Sequence, residues 1–317
     1  MSPEATTLWI KSLSKQYGFD YCGIAKAQEL TQDAKRLDAW LQKGFQGDMT
    51  YMENHFDKRI DPRKLVPGAK SVITFLKNYF PSNIEIPIKE YQEDALPQIA
   101  KYAWGEDYHE VIRNQLHSFL DEMRQKIGKI EGRGYVDSAP VLERAWAQLS
   151  GAGWIGKNGN LIRPQAGSFF FIATLIVDFE LEYDTPLPQD YCGTCTKCID
   201  ACPTQAILPD KTIQGNHCIS YYTIELKNKE EIPEKTSMQN WAFGCDICQD
   251  VCPWNRFSIA HQETHFKPLE GLLQLSKNDW MQMEETTFKA RFKKSPLLRT
   301  KLKGMKRNIQ WLMDRRL

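Results

Sequence analysis

Apolar residues recur every three or four positions through residues 5–16 and again through QDAKRLDAWLQKG at 32–44, the spacing that gives a helix one apolar face. The first helix leads into FDYCGIAKA, and AKSVITFLKNYF at 69–80 reads as a strand introduced by the turn VPG. The pattern predicts further helices around 107–127 and 140–150, and SFFFIATLIVDF at 168–179 is a strand by length and by its aromatic and β-branched content. Helical and strand patterns alternate, so helices are expected to cover a sheet in an α/β unit over residues 1–180. LEYDTPLPQD at 181–190, with two prolines and three acids, reads as a linker. Residues 191–260 shift to cysteine and short irregular segments, and 261–317 return to helix-compatible sequence.

Composition narrows the class. The 317 residues suffice for about two domains at ~150 residues each, and 42% hydrophobic content can fill their cores. The 41 basic and 40 acidic side chains nearly cancel, so a nucleic-acid partner must be read from local charge. The N-terminus has no uninterrupted apolar run with a small-residue cleavage site, and no stretch reaches the 18 apolar residues of a membrane span. A soluble cytoplasmic protein is expected. Nine cysteines in a reducing compartment should not pair as disulfides, and eight lie between 192 and 252, which points to metal.

YCGTCTKCIDACPTQAI places Cys192, Cys195, Cys198 and Cys202 in the C-x2-C-x2-C-x3-C-P run of bacterial ferredoxins that carry [4Fe–4S] clusters. Two-residue gaps let a tight loop set three thiolates around one cubane, while the fourth cysteine serves a second cluster. The second set is present: GCDICQDVCPWN supplies Cys245, Cys248 and Cys252, and GNHCISYY supplies Cys218, or His217 in its place. Crossed ligation assigns Cys192, Cys195, Cys198 and Cys252 to one cluster and Cys202, Cys218, Cys245 and Cys248 to the other. Two structural zinc sites would use the thiols in pairs and leave the triple spacing and both Cys-Pro endings unexplained. Cys22, alone in an apolar context, reads as packing.

Two clusters form an electron wire, and residues 1–180 should contain what consumes the electrons. GAGWIGKNGN matches G-x-G-x-x-G, but a helix precedes it and a strand follows, the reverse of a dinucleotide fingerprint. Its glycines are better suited to ending the helix and letting backbone approach another large ligand. In YVDSAPVLERAWAQL, Asp137 stands just before an expected helix start, with Ser138 as a possible N-cap and Pro140 in the first turn. A capping carboxylate stays ionised, whereas a proton donor needs burial that raises its pKa.

YVDSAPVLERAWA, GAGWIGKNGNLI, YCGTCTKCIDACPTQAI, CISYYTIELK and GCDICQDVCPWN, in this order, closely resemble the epoxyqueuosine reductase family. The likeness extends to GDMTYMENHFDKRIDPRKLVPGAKSVI and KYAWGEDYHEVIRNQL, and so covers nearly the whole chain. It implies a cobalamin-binding α/β domain over 1–180 related to those of reductive dehalogenases, a two-[4Fe–4S] ferredoxin-like module over 181–260, and a basic helical segment over 261–317. It further implies reduction of epoxyqueuosine to queuosine at the wobble position of tRNA, by cob(I)alamin fed from the clusters and ultimately from an external low-potential electron donor. Asp137 matches the family's acid and is expected to protonate the departing oxygen. Cobalamin contacts are expected from Tyr102, His109, Asp137, Lys157, Asn158, Gly167, Ser168, Ser220 and Tyr221, with His109 hydrogen bonding and not ligating cobalt.

Residues 286–317 carry eleven Lys or Arg against one acid, Asp314. Phosphate neutralisation by such a patch supplies affinity without reading sequence, and Lys293, Lys294, Arg299, Lys303, Lys306 and Arg307 are its expected tRNA contacts. Family members that continue into helical repeats do so after the position where this chain stops. A dehalogenase-like reductase would share the wire and the cobalt but usually bears an export signal, and a simple electron carrier would not need 180 residues ahead of its clusters.

Overall fold

The computed structural model describes residues 2–81, 96–226, 232–234 and 236–314. In chain order the first half contains α1 (Pro3–Gln16), β1 (Tyr21–Lys26), α2 (Thr31–Gln42), α3 (Phe56–Ile60), β2 (Ser71–Asn78), β3 (Gln98–Ile99), α4 (Tyr108–Ile127), β4 (Gly132–Val136) and α5 (Glu143–Leu149). There follow β5 (Trp154–Ile155), β6 (Leu161–Ile162), β7 (Phe170–Val177), α6 (Lys197–Asp200), β8 (Trp241–Phe243), α7 (Ile247–Asp250), α8 (Lys277–Gln282), α9 (Glu285–Phe292) and α10 (Lys301–Asp314).

Four strands form an antiparallel sheet in the order β1-β2-β7-β4, with Ile24 opposite Ile73, and Thr174 opposite both Thr74 and Tyr135. β2 and β7 are buried along nearly their whole lengths because both faces of the sheet are covered. Ile73 and Phe75 pack with Ile10 and Leu13 of α1 and with Ile112, Leu116 and Phe119 of α4. Val72 points the other way into a cluster with Trp146 of α5, Tyr135 and Ile176. The α/β layering expected from the alternating pattern is therefore present. β4 escapes the pattern because GRGYV spends two of its five positions on glycine, where Leu116 and Leu120 of α4 press against the strand.

Local chemistry sets the ends of the long helices. Ser2 accepts the Ala5 N–H at the start of α1 with Pro3 in the first turn, and Asp107 accepts the His109 N–H at the start of α4, which ends at Gly128 with φ 106°. The helix expected over 140–150 begins only at Glu143, without a side-chain cap, so Asp137 and Ser138 are not its cap. GAGWIGKNGN turns back on itself as the β5–β6 hairpin, and a Cβ on Gly153 would lie 2.3 Å from the Ile162 carbonyl oxygen. The 181–190 stretch is no free linker: Leu181 is buried, while Asp184 accepts the Ile24 N–H at 2.8 Å and pairs with Lys11 at 2.6 Å.

A second core joins distant parts of the chain. Ile99 and Trp104 pack with Tyr221, Trp241, Phe243, Trp280, Phe292, Met305 and Ile309, and β3 lies parallel to β8. Asn308 of α10 is fully buried, donating to the Thr223 and Ala242 carbonyls at 2.8 and 2.9 Å, so the C-terminal helix is stapled to the cysteine-bearing region. Losing such buried bonds costs about 1–3 kcal/mol. Among the described residues, no helix is long and apolar enough to cross a membrane.

Candidate functional site: paired thiol loops beside an acidic cleft

Each C-x2-C run is followed by one helical turn. α6 carries Cys198 and α7 carries Cys248, and the two turns pack together. Cys192, Cys195, Cys198 and Cys252 line one cavity of about 170 Å³. Burial pushes the Cys198 thiol up to about 11, with the charges of Cys252 and Cys192 adding to it. Cys218, Cys245 and Cys248 form a second set: burial raises each thiol, the Cys218 charge adds to this at both Cys245 and Cys248, and at Cys218 the Ser220 N–H lowers it while Cys202 raises it. Among the described residues, no three His, Cys, Asp or Glu side chains converge as the ligands of a single ion do. The four thiols of the first set surround a space, as a polynuclear cluster needs.

The hairpin turn at 156–160 clamps both loops. Lys157 Nζ donates to the Gly193 and Cys195 carbonyls at 2.8 and 2.9 Å, and Asn158 Nδ2 donates to the Cys248 carbonyl at 3.1 Å. Ser168, buried, donates its N–H to Asn255 Oδ1 at 2.6 Å, and a Cβ on Gly167 would lie 2.3 Å from that same oxygen. These four residues, expected to contact a corrin, all touch the cysteine module. Trp154 Nε1 reaches Cys192 Sγ at 3.5 Å and the Ala206 N–H reaches Cys202 Sγ at 3.3 Å. Tyr221 accepts the Asp48 N–H at 3.0 Å and is buried, so it faces the α2–α3 connection. Its neighbour Ser220 is half-buried and offers its backbone N–H to Cys218.

The second feature is a cleft with Asp137 on its wall. Asp137 follows β4 directly and has φ 53°, a left-handed conformation unusual for a residue with a side chain. Its N–H donates to both carboxylate oxygens of Glu143, at 2.9 and 3.0 Å, which holds the turn. Oδ2 accepts the Tyr108 hydroxyl at 2.5 Å and lies 3.3 Å from His109 Nε2, while His109 Nδ1 lies 2.7 Å from Asp107. Tyr108 is fixed by face-to-face stacking on Phe171, centroids 4.1 Å apart.

Asp137, Glu143 and Arg144 are surrounded by enough protein to be strongly desolvated, yet each keeps accessible surface, 53% for the Asp137 side chain. A deep open cleft explains both. Burial pushes the Asp137 carboxyl upward, but hydrogen bonds from His109 and Tyr108 and the charges of His109 and Arg299 outweigh it and hold it below the ordinary value. Burial lowers His109, but its two carboxylate partners prevail and raise it to about 9. Burial, then the Asp137 charge, lifts Glu143 to about 8. These shifts favour the proton of the Asp137–His109 pair on the imidazole and favour the neutral form of Glu143.

Tyr102 joins cleft and thiols: its phenol is pushed up by burial and then by Asp137, and its ring is 6.1 Å from those of both Tyr108 and Phe243, two residues before Cys245. Arg299 is paired with Glu225 at 2.6 Å and lies over the Tyr51 ring at 5.8 Å, so this expected phosphate contact belongs to the cleft. Arg307 is also redirected: it donates to the Leu226 and Tyr222 carbonyls at 2.8 Å each and braces α10. Lys293 and Lys303 are exposed, Lys306 is half-buried, and Lys294 lies 3.7 Å from Glu106; Arg315 and Arg316 fall outside the described residues. Tyr51, Tyr108, Glu143, Arg144 and Glu225 were not singled out from sequence. Only the adjacency of Tyr108 to His109 offered a signal.

Residues 59–138 match the family model described as Epoxyqueuosine reductase QueG, DUF1730, and residues 191–255 match the 4Fe-4S double cluster binding domain. An epoxyqueuosine reductase of Cyclobacterium marinum is 53% identical over 98% of both chains. An epoxyqueuosine reductase solved with an epoxyqueuosine-modified tRNA-Tyr stem loop superposes with a TM-score of 0.86 at 28% identity, covering 96% of this chain and 80% of that one. The Bacillus subtilis enzyme, solved with its catalytic aspartate loop swung out of the active site, gives 0.86 at 27% identity over the same shares. The chain thus carries a two-[4Fe–4S] module on the fold of these reductases, and it belongs to the epoxyqueuosine reductase family of oxidoreductases.

Proposed function

We propose that this protein reduces epoxyqueuosine to queuosine at the wobble position of tRNA, the last step of queuosine synthesis, in the cytoplasm. The observation that carries this reading is Asp137, held at a left-handed backbone position in a deep cleft, hydrogen bonded to Tyr108 and His109 and joined through Tyr102 to the thiol loops. The tRNA stem loop bound by one relative, and the catalytic aspartate loop of another, support the substrate and the role of Asp137. Residues 1–180, 181–260 and 261–317 then act as catalytic unit, electron module and basic segment, with residues 98–104 crossing into the second core.

The cleft suits cobalamin: the phenols of Tyr51 and Tyr102 both lie near enough to feel the Asp137 charge, and the buried His109 Nε2 has only its 3.3 Å contact with Asp137. Reduced cobalamin, when bound, supplies the two low-potential electrons that the epoxide takes up. Cys192, Cys195, Cys198 and Cys252 would hold one cluster and Cys202, Cys218, Cys245 and Cys248 the other, relaying electrons from an external donor. Epoxide, two electrons and two protons yield an alkene and water. Asp137 would hand a proton to the departing epoxide oxygen, and protonated His109, 3.3 Å away, would return one to the carboxylate while Tyr108 holds it in place. The null charge of a protonated Glu143 keeps a second anion away from Asp137 while the turn is held. Exposed Lys293 and Lys303 would contact RNA phosphates.

Anaerobic reconstitution with iron, sulfide and cobalamin, then reductant and an anticodon stem loop bearing epoxyqueuosine, tests the reading by nucleoside mass spectrometry. Queuosine formed only with cobalamin is the expected result. A loaded, reducible protein that leaves the nucleoside untouched would overturn it in favour of a small-molecule reductase.

A further inference from the structure

A cavity of about 430 Å³ opens at the edge of the sheet beside β4, and it is separate from the thiol cavity. Val136 and Ser138 both line it, so it shares the turn that carries Asp137. Lys58 of α3, Arg113 of α4 and Arg133 of β4 bring three permanent cations to its wall, His55 adds a fourth basic group, and among the described residues no Asp or Glu lines it. In a chain with nearly equal numbers of acids and bases, three elements converging with one sign of charge form a local anion-attracting field. A second observation is independent of that charge. Tyr135 also lines the cavity, is 6% exposed, and its buried hydroxyl has no hydrogen-bond partner among the described residues. An unpaired buried hydroxyl is costly, and a bound acceptor removes the cost.

We propose that this cavity binds a phosphodiester of the RNA strand next to the modified nucleotide, fixing the backbone while the base enters the Asp137 cleft. This rests on the tRNA reading above. Arg133 and Arg113 offer planar forks suited to a phosphate, Lys58 adds a point charge, and Tyr135 supplies a neutral donor. Cobalamin carries the same chemical group in its tail, so the test must tell the two sources apart.

Wild type, Lys58→Gln/Arg133→Gln and Tyr135→Phe, each with full iron content, are compared for binding of an anticodon stem-loop RNA across a salt series and for cobalamin retention. The expected result for the double variant is roughly tenfold weaker RNA binding, a salt slope shallower by about 0.7–0.9 for one lost phosphate, and unchanged cobalamin. Tyr135→Phe is expected to unfold no earlier than wild type, because its hydroxyl has no partner to lose, yet to bind RNA several-fold more weakly. Unchanged RNA binding with cobalamin lost would overturn the proposal and give the cavity to the cofactor's tail. Unchanged binding of both would overturn it outright. Wild-type protein that ignores the stem loop would instead sink the tRNA reading, and this inference with it.

Discussion

Three of the thiols around the 170 Å³ cavity lie within seven positions of one another, and short-range bonds such as Cys195 N–H to Cys192 O at 3.1 Å and Cys202 N–H to Ile199 O at 3.2 Å shape their loop. The Asp137 cleft instead draws on Tyr51, Tyr102, Tyr108, Glu143, Glu225 and Arg299, spread over about 250 positions. In the first region, spacing along the chain and geometry in space are nearly the same information. In the second they are unrelated, and the fold alone brings the groups together. Loss of a single thiol should therefore be confined to one cluster, whereas damage to the cleft should change chemistry while leaving the clusters intact.

The largest expected effect tests the one long-range element of the thiol region. Cys252→Ala is expected to remove about half of the iron and to abolish turnover, with the lost spectroscopic signal belonging to the cluster of Cys192, Cys195 and Cys198. Loss of the signal from the Cys245 and Cys248 set would show uncrossed ligation. Next, Asp137→Asn is expected to keep iron and cobalamin but lower turnover by about two orders of magnitude or more, as loss of a general acid does. Turnover near wild type would reduce Asp137 to a structural turn residue.

A smaller effect is read from pH. His109 is raised from an ordinary 6.5 to about 9, so its pairing with Asp107 and Asp137 contributes stability in full below 6.5 and loses it as pH climbs through 9. Turnover that uses the same proton should fall over the upper part of that window. His109→Gln should remove this alkaline limb and slow turnover by about tenfold; an unchanged profile would take His109 out of the proton route.

The smallest effects separate two basic residues of one segment. Arg307→Ala should cost about 1–3 kcal/mol in denaturant unfolding, because two backbone carbonyls lose a charged donor, and should leave the salt dependence of RNA binding alone. Lys293→Ala/Lys303→Ala should do the opposite, flattening the salt slope without a change in stability. Identical behaviour of the two variants would erase the distinction.

The helices and the two central strands were legible because a 3.6-residue or continuous apolar pattern is written where a whole face is buried. β4 was not, since close packing against α4 required glycines that carry no such pattern. The cysteine motifs announced a two-cluster module, because a cubane imposes its own spacing on the loop that binds it. Lys157, Asn158, Gly167 and Ser168 were noticed as small or polar residues near a turn, but a turn's sequence does not say which surface it faces, and here it faces the cysteine loops. Charge counting likewise marked the basic C-terminal segment without separating Arg307, folded inward as a brace, from Lys303 on the surface. By itself, then, the sequence determined the layered α/β core, the paired thiol loops and, through its motifs, the family. Tertiary structure alone decided that Asp137 caps no helix, that the proton it shares with His109 is favoured on the imidazole, and that Arg299 joins the cleft, because protonation state and partner choice follow from groups brought within a few ångströms by distant parts of the chain.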